Sequence, residues 1–405
     1  MNIWCISKYA CLPKYGIGAR LFYLAQEFQK AGHKTILFTS DANHNALFPA
    51  TSQRYNSETV KDVDVHWIKT KKYEKSASVS RVVSWLDFEI GLFRMDRKEL
   101  QAPDVLIVSS LSLLSIIYGY YLKKKYKAFL VFEVRDIWPL TMVAEGGFSR
   151  IHPLVVLLAA VEKFGYKKSD LIVGTMPRLD IHVRKILKYE RPFFCSPLGF
   201  DANDKKGVQV NSDDLADYFP YDKTIVGYAG SMGTSNPLES LMSCIELLRE
   251  RADIHFVLVG SGDLKSEYEN RMSENSNVTF MSRISEKMIP KFLKHCDILY
   301  LATHNSEVWD YGQSMNKLVD YMRSGKPIVA SYSGYQSMLN EANSGVFVPS
   351  NDANKLKEAI EDFVNMEQHA RLEIGENGKK WINQNRTYSK LAKSYLRELE
   401  RLVCR

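Results

Sequence analysis

Short apolar runs alternate along the chain with segments in which apolar residues recur every three or four positions. The opening run, Asn2 to Ser7, predicts a strand, and Leu21, Leu24, Ala25, Phe28 and Ala31 predict a helix that Gly32 ends. Further strands are expected at residues 35–39, 63–68, 104–109, 128–132 and 170–174, with helical stretches between most of them. That rhythm builds β-α-β units and hence a parallel sheet. The second half repeats it, with strands at 224–229, 254–259, 278–281, 298–301, 327–330 and 345–348 and helices near 237–250, 263–274, 286–294, 314–323, 335–342 and 352–366. Two final helices, about 367–384 and 387–403, have no strand after them.

The expected organisation is a first Rossmann-like domain over residues 1–200, a polar, Asp-rich linker at 201–222, a second Rossmann-like domain at 223–385, and a last helix, 386–405, that crosses back to the first domain. A length of 405 residues fits two hydrophobic cores. Residues 105–122 are almost uncharged, yet their serines, glycine and tyrosines point to a buried strand and helix in place of a membrane span. The run 154–160, followed by Lys163, Lys167 and Lys168, fits either a core helix or a helix lying in a bilayer interface.

Composition is that of ordinary globular chains, 45% hydrophobic and 25% charged. The six cysteines form no C-x-x-C pair and the N-terminus has no signal-peptide pattern, so a cytoplasmic location is expected. The net charge of +7 is uneven: residues 1–200 hold 29 Lys+Arg against 18 Asp+Glu, and the remainder 25 against 29. A basic first half implies an anionic neighbour. No nucleic-acid recognition motif accompanies its lysines, which leaves the inner face of the cytoplasmic membrane as the expected partner.

Four stretches carry candidate chemistry. Gly16 and Gly18 follow the first strand, where backbone amides can approach a phosphate at a helix start, although the full G-x-G-x-x-G pattern is absent. Glu133, Arg135 and Asp136 end a strand beside Trp138-Pro139, facing either a substrate or each other. The turns Gly230-Ser231 and Gly260-Ser261-Gly262 could bring amides to one diphosphate. In the segment Ser314 to Asp320, Ser314 is placed to cap a helix, Asn316 and Lys317 to meet a phosphate in its first turn, and Asp320 to accept from ribose hydroxyls one turn deeper.

Taken in order, these segments resemble glycosyltransferase family 4, and especially its members that add N-acetylfucosamine-type sugars to bacterial surface polysaccharides. The resemblance implies an α/β GT-B fold, with two Rossmann-like doubly wound domains facing across a cleft. It implies retaining transfer from a nucleotide-sugar donor, expected to be a UDP-sugar, to a lipid-linked oligosaccharide, with no cofactor and no metal. Donor binding then falls to Gly16, Gly18, Gly230, Ser231, Gly260, Gly262, Arg283, Glu307, Ser314, Asn316, Lys317, Leu318 and Asp320, with Lys317 and Asp136 as the catalytic candidates. Two departures matter, and the first is that the Arg and Lys many relatives place after the Ala-Gly-Ser turn are absent, since Met232-Gly233-Thr234-Ser235-Asn236 follows. The second is that the leading member of the family's paired glutamates falls on Gly312, which leaves its task to Glu307, Asp310 or backbone amides. A nucleotide-sugar 2-epimerase and a catalytically silent binding subunit are the competing readings.

Overall fold

The structure, a computed structural model, describes residues 1–15, 19–43, 51–73, 78–203, 215–234 and 236–403. Gly16 and Gly18 lie outside them. The chain divides into unit 1, residues 1–201 with 386–405, and unit 2, residues 202–385.

Unit 1 runs β1 (Asn2–Ile6), α1 (Arg20–Lys30), β2 (Lys34–Ser40), β3 (Tyr55–Val60), β4 (Val63–Ile68), α2 (Val79–Arg94), β5 (Val105–Ser109), α3 (Ser115–Tyr126), β6 (Phe129–Val134), α4 (Leu140–Ala144), α5 (Pro153–Lys168), β7 (Leu171–Gly174), α6 (Leu179–Leu187) and β8 (Phe193–Cys195). Its strands lie in the order β3-β4-β2-β1-β5-β6-β7-β8. All pair in parallel except β3, which pairs antiparallel with β4. Two of these strands are not foreseen from the sequence. The edge strand β3, Tyr-Asn-Ser-Glu-Thr-Val, has few apolar residues because only one of its sides is paired, and β8 is three residues long. By contrast β1 and β5 are buried at every position, as continuous apolar runs in a doubly covered sheet must be.

Residues 105–122 resolve into β5 and α3, and no helix among the described residues is long and apolar enough to cross a membrane.

Unit 2 runs β9 (Thr224–Ala229), α7 (Glu239–Leu247), β10 (Ile254–Val259), α8 (Lys265–Arg271), β11 (Val278–Met281), α9 (Ile289–His295), β12 (Ile298–Ala302), α10 (Asn316–Ser324), β13 (Ile328–Ser331), α11 (Leu339–Ala342), β14 (Gly345–Val348), α12 (Ala353–Asn365) and α13 (Gln368–Asn385). Its six strands, in the order β11-β10-β9-β12-β13-β14, are all parallel. The chain leaves β9 first toward β11 and then returns to β12 on the other side, so the switch in strand order falls between β9 and β12. In open α/β sheets the carboxyl ends of the strands at such a point form the ligand crevice. The helix expected at 335–342 shrinks to four residues, since Tyr332 to Tyr335 instead holds the loop after β12 through hydrogen bonds to the Trp309 carbonyl.

The last helix, α14 (Tyr388–Val403), packs on α1 in unit 1. Its buried residues Tyr388, Leu391, Ala392, Tyr395, Leu396 and Leu399 keep the helical period and join the core formed by β1, β2 and α1. Tyr395 sits edge-on to Phe28 at 5.6 Å between ring centroids, and its buried hydroxyl has no hydrogen-bond partner. A buried hydroxyl without a partner pays its desolvation in full. Replacing Tyr395 by Phe keeps the ring and should stabilise unit 1 by about 1 kcal/mol, read as a higher urea midpoint.

Candidate active site

The switch point of unit 2 is built from three loops at the carboxyl edge of its sheet. Gly230 follows β9 and Gly260 follows β10, and the two turns lie against each other: the Gly230 amide donates to Val259 O (3.0 Å) and the Met232 amide to Ser261 O (2.9 Å). A Cβ on Gly260 would collide with the Gly230 carbonyl. These two amides are therefore spent within the fold, and the exposed residues Ser231, Ser261 and Gly262 remain at the surface of the paired turns.

Lys317 enters this edge from the first turn of α10. Its Nζ donates to Tyr228 Oη (3.0 Å) and Asn236 Oδ1 (3.4 Å) and lies 4.2 Å from the Tyr228 ring centroid. Tyr228 Oη in turn donates to Ser231 O (2.7 Å), and Tyr321 of α10 accepts from the Ala229 amide (2.8 Å), which pins the helix to the end of β9. A Cβ on Gly230 would occupy the place of the lysine Nζ, so glycine there makes room for the cation. No carboxylate among the described residues pairs with Lys317, and burial pushes its ammonium down to about 7.

Several residues of the Ser314 to Asp320 segment fall differently from expectation. Helix α10 starts at Asn316, and its N-cap is Met315 with no side-chain cap bond, so Ser314 stands one residue too early to cap it. The amides of the first turn thus stay unclaimed by a cap. Leu318 is wholly buried in the core, which leaves only its backbone for a ligand. Asp320 is exposed beside Arg323 (3.9 Å), while Lys317 turns inward to Tyr228, so the two do not form an ion pair with each other. Arg283 is exposed just beyond β11, and Glu307 opens a short 3-10 turn, Glu307–Tyr311, after β12. That turn ends at Gly312 with φ 98° and ψ −175°, a conformation essentially closed to other residues. The backbone itself excludes a glutamate at this position.

In unit 1 the charges at the end of β6 separate. Glu133 is fully buried and accepts from Arg20 Nη1 (2.7 Å) and Ser109 Oγ (2.8 Å). Arg20 also donates to Ser196 O (2.7 Å) and Oγ (2.9 Å), tying the start of α1 to the segment after β8. Glu133 is thus a structural ion pair, with a partner far from it in sequence. Asp136 accepts from Trp138 Nε1 and Thr141 Oγ1, both at 2.7 Å, which fixes the carboxylate's orientation. The guanidinium of Arg135 has no ion pair among the described residues, and its Nε is buried without a partner. Burial, with the Arg20 cation nearby, pushes Arg135 below the usual arginine range.

A cluster that pattern-reading overlooks stands at the same edge. Trp85 Nε1 donates to Tyr9 Oη (2.6 Å), the Trp85 and Trp138 rings are 5.7 Å apart, and the Arg81 guanidinium lies 5.3 Å from each of them. Buried Lys8 donates to Ala42 O (3.0 Å) and lies near the Tyr9 and Tyr73 rings. The one signal in the sequence is that Lys8 and Tyr9 directly follow the first strand. Among the described residues no group of His, Cys, Asp or Glu side chains is arranged to hold a metal ion.

Breaking the Arg20–Glu133 pair by Arg20→Ala would leave a buried carboxylate uncompensated. It should destabilise unit 1 by about 3–5 kcal/mol, measured by chemical denaturation.

Comparison with known proteins places this geometry. Residues 223–366 match the family model described as glycosyl transferases group 1. The O-antigen chain mannosyltransferase C of Escherichia coli is 23% identical over 237 residues, covering 56% of this chain and 59% of that protein. Alignments to other curated relatives, named as uncharacterized glycosyltransferases of Methanocaldococcus jannaschii, span only about two fifths of the relatives' length. The sucrose-phosphate synthase structure from Thermosynechococcus elongatus superposes with a TM-score of 0.75 at 16% identity, covering 100% of this chain and 99% of that one. An E. coli structure described as trehalose-6-phosphate bound with UDP-2-fluoro glucose gives 0.71 at 11% identity, with 99% of both chains covered. The fold is therefore GT-B, and the part of unit 2 from residue 223 to 366 is similar to the group 1 glycosyl transferases.

Proposed function

We propose that the protein is a retaining glycosyltransferase that moves a sugar, an N-acetylhexosamine or deoxyhexosamine, from a UDP-sugar to a lipid-linked saccharide in bacterial surface polysaccharide synthesis. The reading places the protein in the cytoplasm, peripheral at the inner face of the membrane. The observation that carries it is Lys317: a largely buried ammonium without a counter-charge, at the switch point of a parallel sheet, in the first turn of a helix whose N-terminal amides have no side-chain cap. A leaving diphosphate builds up negative charge, and this site offers a fixed cation and dipole to receive it. The UDP-2-fluoro glucose held by a fold neighbour and the O-antigen activity named for a sequence relative support the donor and the acceptor class.

In this reading the diphosphate meets Lys317, the first-turn amides at Asn316 and Leu318, Ser314, and the surface of the Gly230-Ser231 and Gly260–Gly262 turns. Arg283 lies toward the same edge. Asp320 serves the ribose, and Glu307 or Asp310 takes the sugar contact that Gly312 cannot supply. Retention follows from attack on the face the diphosphate leaves, with the diphosphate assisting proton removal. In unit 1, Asp136 orients the acceptor. The partly exposed Trp138 ring, backed by buried Trp85, offers it a flat apolar face, and Arg135 holds an anionic group on it.

Donor profiling with a set of UDP-sugars and membrane extract as acceptor tests the reading directly. Lys317→Ala should raise the barrier by roughly 2–4 kcal/mol, and near-normal turnover would sink the assignment. NMR of the donor without acceptor separates transfer from epimerisation, which would convert the donor alone.

A second test uses pH. The free ammonium titrates near 7, and a bound diphosphate favours its charged form. UDP affinity should therefore be full below pH 7 and fall as pH rises above it, by about tenfold per unit at the steepest. Calorimetry in buffers of different ionisation enthalpy should show proton uptake on binding at pH 8. Affinity that stays flat from pH 6 to 9 would contradict the role of Lys317.

A further inference from the structure

Helix α2 is built with its apolar side outward. Val79, Val83, Leu86, Ile90 and Phe93, spaced by four, three, four and three residues, are 39–81% exposed. Its other face buries Ser84, Trp85, Phe88, Glu89 and Leu92. A helix on a globular domain normally turns charged residues to water. Here Arg94 is the one fully exposed charge on the helix.

The apolar surface extends over the neighbouring helices. Phe93 packs against Tyr118 and Tyr121 of α3, at 5.0 and 5.4 Å between centroids, and α3 exposes Ile117 and Tyr121. Tyr120 of α3 meets Phe164 of α5 at 5.3 Å, and α5 exposes Val156 and Leu157. Phe148 and Ile151, just before α5, are exposed as well. Single exposed apolar residues need no explanation, but an adjoining set on three packed helices does.

Charge says what covers this face. Every carboxylate on the three helices is withdrawn: Glu89 and Glu162 are buried, and Asp87 is paired with Arg54 at 2.8 Å. Their last turns carry Arg94, Lys123 to Lys125, Lys167 and Lys168. Each helix joins two parallel strands, so all three run the same way and these basic turns line one edge of the unit. The amines of Lys124 and Lys168 lie 5.6 and 5.5 Å from the Tyr120 ring, at the border of the apolar area. At this edge Lys123 is paired with Asp170 at 2.5 Å, which leaves Lys124 and Lys125 to the rim, and Asp96 and Glu99 lie beyond the end of α2, where they flank Arg97 and Lys98. A second copy of this chain would set one cationic rim against another. An anionic bilayer matches both parts of the surface, with an apolar interior under phosphate headgroups.

We propose that the outward face of α2, α3 and α5 seats on a bilayer containing anionic lipid. Leu86, Ile90 and Phe93 enter the boundary between headgroups and acyl chains, and Lys124, Lys125, Lys163 and Lys167 hold the headgroups. This assigns a surface to the peripheral location proposed above and rests on that part of the reading alone, independent of the donor site.

The test is sedimentation of the full chain with vesicles of phosphatidylcholine alone or mixed with about one third phosphatidylglycerol. Binding is expected to the mixed vesicles only, and to weaken with salt. The double substitution Leu86→Ser and Ile90→Ser should weaken it at least about tenfold, and Lys124→Gln, Lys125→Gln and Lys167→Gln together by about fivefold per lysine. Both variants change exposed residues, and an unaltered melting temperature and circular dichroism spectrum show that each is folded; should the serine variant unfold, the glutamine variant decides alone. Wild-type binding by the folded variants overturns the proposal. So does light scattering that finds a dimer which the serine substitutions dissociate, since the face would then belong to a second copy. Turnover of a UDP-sugar with a soluble acceptor is unaffected by either variant, so loss of vesicle binding and loss of transfer are read separately.

Discussion

Charge that is buried at the carboxyl edge of a parallel sheet must be neutralised, and the two units do this in opposite ways. In unit 1 the carboxylate of Glu133 is met from inside by Arg20, whose other donors close on Ser196. In unit 2 the ammonium of Lys317 is met only by a phenol, an amide oxygen and a ring face. The first arrangement is complete and holds the start of α1, the end of β6 and the segment after β8 in register. The second leaves a charge unmatched, and burial drives it toward the neutral form.

Positioning that one amine takes most of the local structure of unit 2. Tyr228 both accepts from Lys317 and reaches Ser231, Tyr321 fastens α10 to β9, and Gly230 gives up a side chain to leave space. The interlocked turns after β9 and β10 use two of their amides on each other, which makes them a rigid floor more than a set of free donors. The turn at Gly312 completes the picture, because its backbone conformation removes a carboxylate from the site. In the proposed donor site, with fewer charged groups present, more of the electrostatic work would fall on Lys317 and the start of α10.

The burden of unit 1 is different. Its carboxyl edge gathers aromatic rings and cations around Asp136, and its outer helix layer shows apolar side chains where water would normally dictate charge. Glu89 lies on the inner side of the same helix, held by Ser112 and Ser115, and burial raises its carboxyl to about 8. That reversal of inside and outside on α2 is a property of the packed layer, since its sequence, Val-Ser-Arg-Val-Val-Ser-Trp-Leu-Asp-Phe-Glu-Ile-Gly-Leu-Phe-Arg, is apolar on more than one side.

The sequence by itself determined the α/β alternation and nearly every parallel strand, and it singled out Lys317 as a candidate. These features rest on periodicity and on residue types within one turn of each other, which a linear reading can see. The edge strand β3 escaped it because an edge needs no apolar signature. Tertiary structure alone decided that Glu133 belongs to Arg20, 113 positions away, that Lys317 turns to Tyr228 and away from Asp320, and that Ser314 misses the cap. Each of those outcomes depends on which side chains the fold brings within a few ångströms, and no local spacing encodes that distance.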